Sequence, residues 1–395
     1  MTTYFAYEEL TWPEVNELAR DTPIVIPLGQ GYPFDRLASE LGNPPRVGLL
    51  PAIPFGWRGS GLVVPQTVLA ACLANLLSSL QEDGFSKVFA LTPQGLDWPA
   101  QATAPDNPLA CIELPRTFGV RSGASSSSDV AIPHDYDRHK VVMIPIGHTE
   151  QHGHHLPLST DTLIIEAIAQ GVVKAAPERA TPLPAIPYGV STHRQAFAGT
   201  LNVGGRAFED FWLEVIGTLV QRGFNHFYLI SGHGGNCSFL VNVVKYAGEL
   251  YPEIFCATAW LYLSGSQGVA ALQKHRRSGI GGMGHAGELE TSLLLHLRPE
   301  LVNMERVVDE TDFISTPSYY MDWVEGGALV ANPPWYDDTT TGAYGAGSMA
   351  TRANGEIWMQ AAIAEKVAHV AEIHEQYERR AARRRSGYGR WGSQR

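Results

Sequence analysis

Cysteine is scarce. Four residues, Cys72, Cys111, Cys237 and Cys256, lie far apart with no Cys-x-x-Cys spacing. This excludes a disulfide framework and a cysteine-based metal knuckle, and it fits a reducing compartment in which each thiol is a small buried residue. Positive charge is also in short supply. Against 40 Asp and Glu stand 29 Lys and Arg, a net charge of −11, which argues against a nucleic-acid partner because phosphate neutralisation needs surplus basic residues. The one basic cluster, Arg379 to Arg385 running on to Arg395, reads as a solvated helix end. No apolar run reaches the ~18 residues of a spanning helix, and Met1 to Glu9 has no charged region followed by an apolar core. The expectation is a soluble cytoplasmic protein without a signal peptide or a membrane contact. At 395 residues the chain is long for a single core, given ~100 to 200 residues per domain.

What is there is order. Residues 9 to 20 read as a helix, with Thr11 as N-cap and Pro13 in the first turn. Pro23 to Gly29 reads as a buried strand, Thr67 to Leu80 carries leucines at helical spacing, and Lys87 to Thr92 is another strand. The same order returns later. Val141 to Gly147 is a strand, Thr162 to Ala176 an apolar helix, Ala207 to Val220 a helix with one aromatic face, and Phe227 to Ser231 a strand that ends in Gly-His-Gly-Gly-Asn.

Side by side, the two passages look like copies of one unit. Leu50-Pro-Ala-Ile-Pro-Phe-Gly56 matches Leu183-Pro-Ala-Ile-Pro-Tyr-Gly189 in six of seven positions, and Ile26-Pro-Leu-Gly29 matches Ile144-Pro-Ile-Gly147. Gly84 to Gly95 aligns with Gly223 to Gly234. The copies differ where chemistry would sit: Tyr32, Phe34 and Gln94 stand opposite Glu150, His152 and His233. The expected division is therefore a degenerate unit without metal ligands at 1–122, a flexible linker at 123–130, a catalytic unit at 131–378 and a basic tail at 379–395. Strands alternating with helices point to a largely parallel sheet covered on both faces, with the site beyond the carboxyl ends of strands.

Glu150, His152 and Asp161 follow the strand that ends at Gly147, and His233 follows the strand that ends at Ser231. A neutral imidazole among carboxylates suits hard to borderline divalent ions such as Zn, Mn or Fe(II). Glycines beside His233 let backbone approach an ion closely. A third stretch, Gly284-His285-Ala-Gly-Glu288-Leu-Glu290, leads into an apolar helix. Glu288 brings the ligand set to five side chains, enough for two ions sharing Asp161. Glu290 instead reads as a carboxylate favoured by the helix dipole, and His154 and His155 as surface or supporting residues. His193 either faces substrate or ties down its loop.

Together these stretches resemble the creatininase (creatinine amidohydrolase) family. The resemblance rests on Gly147-His-Thr-Glu150-Gln-His152-Gly to Asp161, on Ser231 to Asn236 and on His285 to Ser292, and it is strong over residues 140 to 300. It implies a three-layer α/β/α fold and two divalent metal ions, with Glu150 and His233 on one ion, His152 on the other and Asp161 between them. Glu288 replaces a glutamate that creatininase carries where this chain has Gly235. Trp260 resembles one of the family's flap tryptophans, and substrate contacts fall to His193, Trp260, Gly234 and Gly235. The implied reaction is hydrolysis of a C–N bond in a small, cyclic or open amide by a metal-bridged hydroxide, with His285 as general acid. The alternatives are C–C hydrolysis of a cyclic ketone, cleavage of a short peptide, or a non-catalytic scaffold subunit. The family's oligomers imply a homo-oligomer, a trimer of two-copy chains.

Overall fold

Two sets of short strands seed two sheets, and every strand pairing in both is parallel. The structure is a computed structural model describing residues 1–96, 110–116, 132–192 and 197–386. The expected linker at 123–130 and His193 lie outside the described residues.

In chain order the elements are β1 (Thr3–Ala6), α1 (Trp12–Glu17), β2 (Ile24–Pro27), α2 (Phe34–Glu40), β3 (Arg46–Leu49), α3 (Gln66–Glu82), β4 (Val88–Pro93) and β5 (Ala110–Leu114). The second set is β6 (Val141–Ile146), α4 (Thr160–Ala175), β7 (Ala180–Pro182), α5 (Gly205–Gln221), β8 (His226–Ser231), α6 (Gly234–Leu250) and β9 (Phe255–Thr258). Helices α7 (Ser266–His275), α8 (Glu288–Leu297) and α9 (Arg352–Arg385) complete it. None of the described helices is long and apolar enough to cross a membrane.

The sheet orders are β1-β3-β2-β4-β5 and β7-β6-β8-β9. Leaving out β1, the two orders are the same. The register agrees as well. Ile24 pairs with Val88 and with Gly48 in the first sheet, while Val142 pairs with Phe227 and with Thr181 in the second, and these are the positions that the sequence alignment of the two passages places opposite each other. Beyond the strands, Gly29 N–H donates to Ile53 O at 3.0 Å and Gly147 N–H to Ile186 O at 2.9 Å.

Strand alternation decides where the core lies, because successive side chains point to opposite faces. Val142, Ile144, Ile146, Phe227 and Leu229 face a core that they share with Ile24, Ile26 and Ala90 of the first sheet and with α3 and α5. Those two helices hold equivalent places in the two units and lie against each other. Val141, Met143, Tyr228 and Ile230 face the other way, onto α4, α8 and α9. The second sheet is thus covered on both faces, the expected three-layer α/β/α arrangement.

Two boundaries differ from the sequence reading. Helix α1 is shorter than 9 to 20, starting at Trp12 behind a capping box in which Glu14 accepts from Thr11 N–H at 2.8 Å. Helix α9 runs on to Arg385, so no tail begins at 379. Arg379 pairs with Glu375 at 2.9 Å, Arg380 lies over the Phe255 ring and Arg384 pairs with Glu253 at 3.2 Å, which fixes the basic turns onto the second sheet's edge.

Candidate metal centre

The centre sits beyond the carboxyl ends of β6 and β8, the adjacent middle strands of the second sheet. The chain leaving β6 carries His148, Glu150 and His152; the chain leaving β8 carries His233. Asp161 stands in the first turn of α4 and Glu290 in the first turn of α8. Two glycines permit the close approach. A Cβ at Gly232 would lie 2.2 Å from Asp161 O, and one at Gly235 would lie 2.4 Å from both His233 Nε2 and Val190 O.

Three overlapping groups of possible ligands form one continuous centre: His148, Glu150 and His233; Glu150, His152 and His285; His152, Asp161 and Glu290. All seven side chains are buried. His233 Nδ1 is 2.9 Å from Glu150 Oε1 and 3.4 Å from Asp161 Oδ2. His152 Nε2 is 3.1 Å from Asp161 Oδ1 and 3.8 Å from Glu290 Oε2. The two oxygens of Asp161 therefore face two different imidazoles, the arrangement of a bridging carboxylate.

Outer hydrogen bonds fix what each imidazole presents. His233 Nε2–H donates to Val190 O at 2.9 Å and His152 Nδ1–H to Glu150 O at 3.1 Å. Each ring thereby turns its other nitrogen, with its lone pair, toward the carboxylates. His148 is set the opposite way. Its Nδ1 accepts from Gly189 N–H at 2.9 Å, so the neutral ring carries its proton on Nε2, 3.8 Å from Glu150 Oε2. It is oriented to support Glu150, not to ligate.

Charge in the centre follows from burial and proximity. Burial works against ionising Glu150 and Asp161, yet the imidazoles beside them outweigh it, and both carboxyls sit below their ordinary range, Glu150 well below. For His152 burial is outweighed by Asp161, which raises it to about 9; His233, facing Glu150, is raised well above its usual value. Burial pushes Glu290 up to about 7. These shifts describe a centre that draws positive charge, whether protons on His152 and His233 or divalent cations in their place. Asp161 Oδ2 is buried and accepts no hydrogen bond among the described residues, as expected of an oxygen intended for a cation. The donor set of carboxylates and imidazoles fits a divalent ion.

Of the sequence-predicted ligands, Glu150, His152, Asp161 and His233 come together, and Glu288 does not. Its carboxylate accepts Arg277 N–H at 2.9 and 3.0 Å and Ser278 N–H at 2.7 Å, so it ties down the loop before α8. Glu290 is the α8 carboxylate that faces the centre, its Oε2 also accepting from Ala286 N–H at 2.6 Å. The sequence reading also passed over His148; its position just after the strand end, two residues before Glu150, was the available signal. His154 lies tilted against the Trp12 ring, and His155 meets Thr291 Oγ1 at 2.9 Å.

His285 stands at the edge of the centre. Its Nε2–H donates to Gln151 O at 2.7 Å, its Nδ1 is 3.5 Å from Glu150 Oε1, and Trp335 packs against its ring edge to face. Burial and the neighbouring His152 press it down to about 3, so it is neutral near pH 7. A cavity of about 790 Å³ opens from here. It is lined by Asp161, His233, His285 and Glu290 at the centre, by Gly234 and Gly235, and by Trp260, Tyr319, Trp323 and Trp335 farther out.

Comparison with known proteins places this geometry. A family model described as Creatinine amidohydrolase matches residues 128–370. A Mycofactocin precursor peptide peptidase of Mycobacterium ulcerans is 35% identical over 173 residues, which is 42% of this chain and 62% of that protein. The chain thus spans less than two thirds of that relative's length. A Creatinine amidohydrolase of Pseudomonas putida is 30% identical over 183 residues, 43% of this chain and 68% of that protein. Among solved structures, a mutant creatininase complexed with creatine aligns with a TM-score of 0.50 at 25% identity, covering 61% of this chain and 94% of that one.

Proposed function

The chain belongs to the creatinine amidohydrolase family, and from that premise we propose that it is a hydrolase dependent on two divalent cations that cleaves the C–N bond of an amide. The observation that carries this reading is Asp161, whose two oxygens face the lone-pair nitrogens of His152 and His233 at 3.1 and 3.4 Å. Glu150 and His233 would hold one ion, and His152 and Glu290 the other, with Asp161 between them. When bound, such ions polarise the substrate carbonyl and lower the pKa of water toward ~7.

The chain's own groups supply the rest. His285 is neutral and anchored through Nε2–H to Gln151 O, so its Nδ1 keeps a lone pair that can accept a hydrogen bond from the attacking water and orient it. That departs from the general-acid role expected from the sequence: a ring pressed down to about 3 carries no proton to donate near pH 7. Trp335 and Gln151 hold the ring in place, and the aromatic walls keep bulk water from the reacting bond.

Metal analysis and chelation test the reading. Purified protein should carry close to two divalent ions per chain, lose amide hydrolysis on chelation and regain it on reloading; protein that hydrolyses amides without stoichiometric metal would sink it. A peptide bond is the form of amide favoured by the cavity, which lies within the range of drug-sized ligand sites, and the peptidase among the relatives supports the same form.

For residues 1–122 we propose a non-catalytic copy of the same unit. Support comes from the shared strand order and register and from what occupies the ligand positions. Tyr32, opposite Glu150, donates its hydroxyl to Leu28 O at 2.5 Å, and the Arg116 guanidinium lies over the Tyr32 and Trp57 rings. Where the second unit gathers carboxylates, the first has an aromatic pair with its own internal cation.

A further inference from the structure

The loop that delivers His285 has little means of holding its own shape. Between α7 and α8 it reads Ser278-Gly-Ile-Gly-Gly-Met-Gly284, and glycine loses more conformational freedom on ordering than any other residue. Close packing demands those glycines. A Cβ at Gly284 would lie 2.1 Å from Tyr344 O, and Gly281 has a φ of +87°. The geometry of the loop is therefore imposed by its neighbours, and two carboxylates impose it. Glu288 accepts Arg277 N–H and Ser278 N–H at the start of the loop. Asp322 takes its middle: Oδ2 accepts Gly281 N–H at 2.8 Å and Met283 N–H at 3.4 Å.

Asp322 itself belongs to the outer wall of the cavity, a segment folded back on itself through Leu329 N–H to Ser318 O at 2.8 Å. Its Oδ1 accepts Val324 N–H at 2.9 Å within that wall. Arg276, just past α7, completes the joint. Its guanidinium reaches the wall at Asp322 Oδ2, 2.9 Å, and Glu325 Oε2, 2.6 Å, while its Nε–H donates to Ser278 O of the loop at 2.9 Å. Burial works against charge on Asp322, but Val324 N–H, Arg276 and Gly281 N–H outweigh it and hold the carboxyl below its ordinary range. One carboxylate thus fastens the wall that the far end of a substrate would touch to the loop that ends in His285. Binding energy gained far from the reacting bond raises kcat only where the remote contact and the reacting groups are held in one frame.

We propose that Asp322 is a positioning residue: it locks the cavity wall to the His285 loop, so that contact between the wall and the distal part of an extended amide is expressed in turnover and not in affinity alone. This inference rests on the amide-hydrolase reading.

Hydrogen exchange of the metal-loaded full chain tests the joint without a substrate. Asp322→Ala should speed exchange across 279–284 by about tenfold or more, as expected when N–H groups lose a charged acceptor, with α4 unchanged. Asp322→Asn keeps the shape and a weaker acceptor; it should speed exchange less, and it carries the test if the alanine variant does not fold. Tyr320→Phe, which cuts a bond to Glu325 O within the wall, should leave the loop as it is. An unchanged loop in the Asp322 variants, or equal loosening in Tyr320→Phe, overturns the proposal. Kinetics with acetyl-p-nitroanilide and acetyl-tetraalanyl-p-nitroanilide test the positioning. The longer anilide should have the higher kcat, and Asp322→Asn should lower that kcat by about 10- to 100-fold at similar KM and metal content, leaving the shorter anilide close to its unmodified rate. A merely structural role would lower both alike. If the unmodified protein hydrolyses neither anilide, the hydrolase reading fails while the joint stands or falls on the exchange result; hydrolysis with equal losses on both keeps the hydrolase and removes the positioning role.

Discussion

Glu288 and Glu290 are two residues apart on α8 and should respond oppositely to the same substitution. Glu288→Gln keeps the shape but replaces a carboxylate that accepts Arg277 N–H and Ser278 N–H at 2.7 to 3.0 Å. A hydrogen bond to a charged group contributes ~1.5 to 3 kcal/mol, and an amide in this place leaves at least one of those donors facing an NH2 group. The loss in stability should be about 2 to 3 kcal/mol, read as a lower denaturation midpoint at unchanged slope, with metal affinity close to that of the unmodified protein. Glu290→Gln removes a carboxylate that burial holds up at about 7, so the metal-free protein should lose little stability or gain some. Its affinity for the second cation should fall by more than the ~100-fold that loss of an outer-shell partner costs. Chemical denaturation of metal-free protein and competitive titration with a chromophoric chelator measure the two quantities. If Glu288→Gln strips the metal while Glu290→Gln retains it, the assignment of α8 to the centre is wrong.

Other outcomes follow from the same reasoning. Burial raises the Glu8 carboxyl from 4.5 to about 7, and its Oε2 meets no hydrogen-bond donor among the described residues. Because the folded-state pKa is the higher one, stability is greatest below pH 4.5 and is lost as pH rises toward 7; the shift corresponds to about 3 kcal/mol. Glu8→Gln should therefore stabilise the protein at pH 8 and be neutral near pH 4, and equal effects at both pH values would refute this. Trp212 is fully buried against Phe55, Phe208 and Phe211 in the core shared by both sheets, so Trp212→Ala should cost ~3 to 5 kcal/mol and lower one common unfolding transition. Two separate transitions, only one of them shifted, would mean that the units are independent. If the first unit stands in for a subunit, the solution mass should correspond to a trimer of two-unit chains, and a monomer by light scattering would reject it.

The strand ends were legible because the signal there is local. Val141 to Ile146 and Phe227 to Ser231 are buried runs that stop at glycine, and in parallel sheets the residues just past such stops converge. Which α8 glutamate faces the centre was not legible. Residues 288 and 290 point about 200° apart around a helix, so only one can face inward, and the choice is set by the loop before α8 through the bonds of Arg277 and Ser278 to Glu288. His148 was passed over for a similar reason. Its tautomer depends on Gly189 N–H, 41 positions away, and no local pattern encodes that contact. The matching strand order of the two sheets goes with sequence identities at strand-end glycines and prolines, where backbone geometry restricts the choice of residue.

Residues ahead of the first sheet's central strands also shape the site. The stretch Glu8 to Trp12, before the first sheet's central strands, crosses to the second unit and braces the loop after β6 and the segment at Thr341. Glu8 O accepts Ser159 N–H and Leu10 O accepts Leu158 N–H, each at 2.9 Å, just before the turn that delivers Asp161. Trp12 Nε1–H donates to Thr341 O at 2.8 Å, and its ring meets those of His154 and Phe197. Thr341 precedes Gly342, whose carbonyl accepts from Gln151 Nε2 at 2.9 Å, and Gln151 O is the anchor of His285. A connected set of contacts thus runs from Trp12 to His285. Substitutions at Tyr32, Phe34 or Gln94 should then affect stability alone, whereas Trp12→Phe, which removes the N–H together with the five-membered ring, should reduce turnover by more than its loss of stability explains.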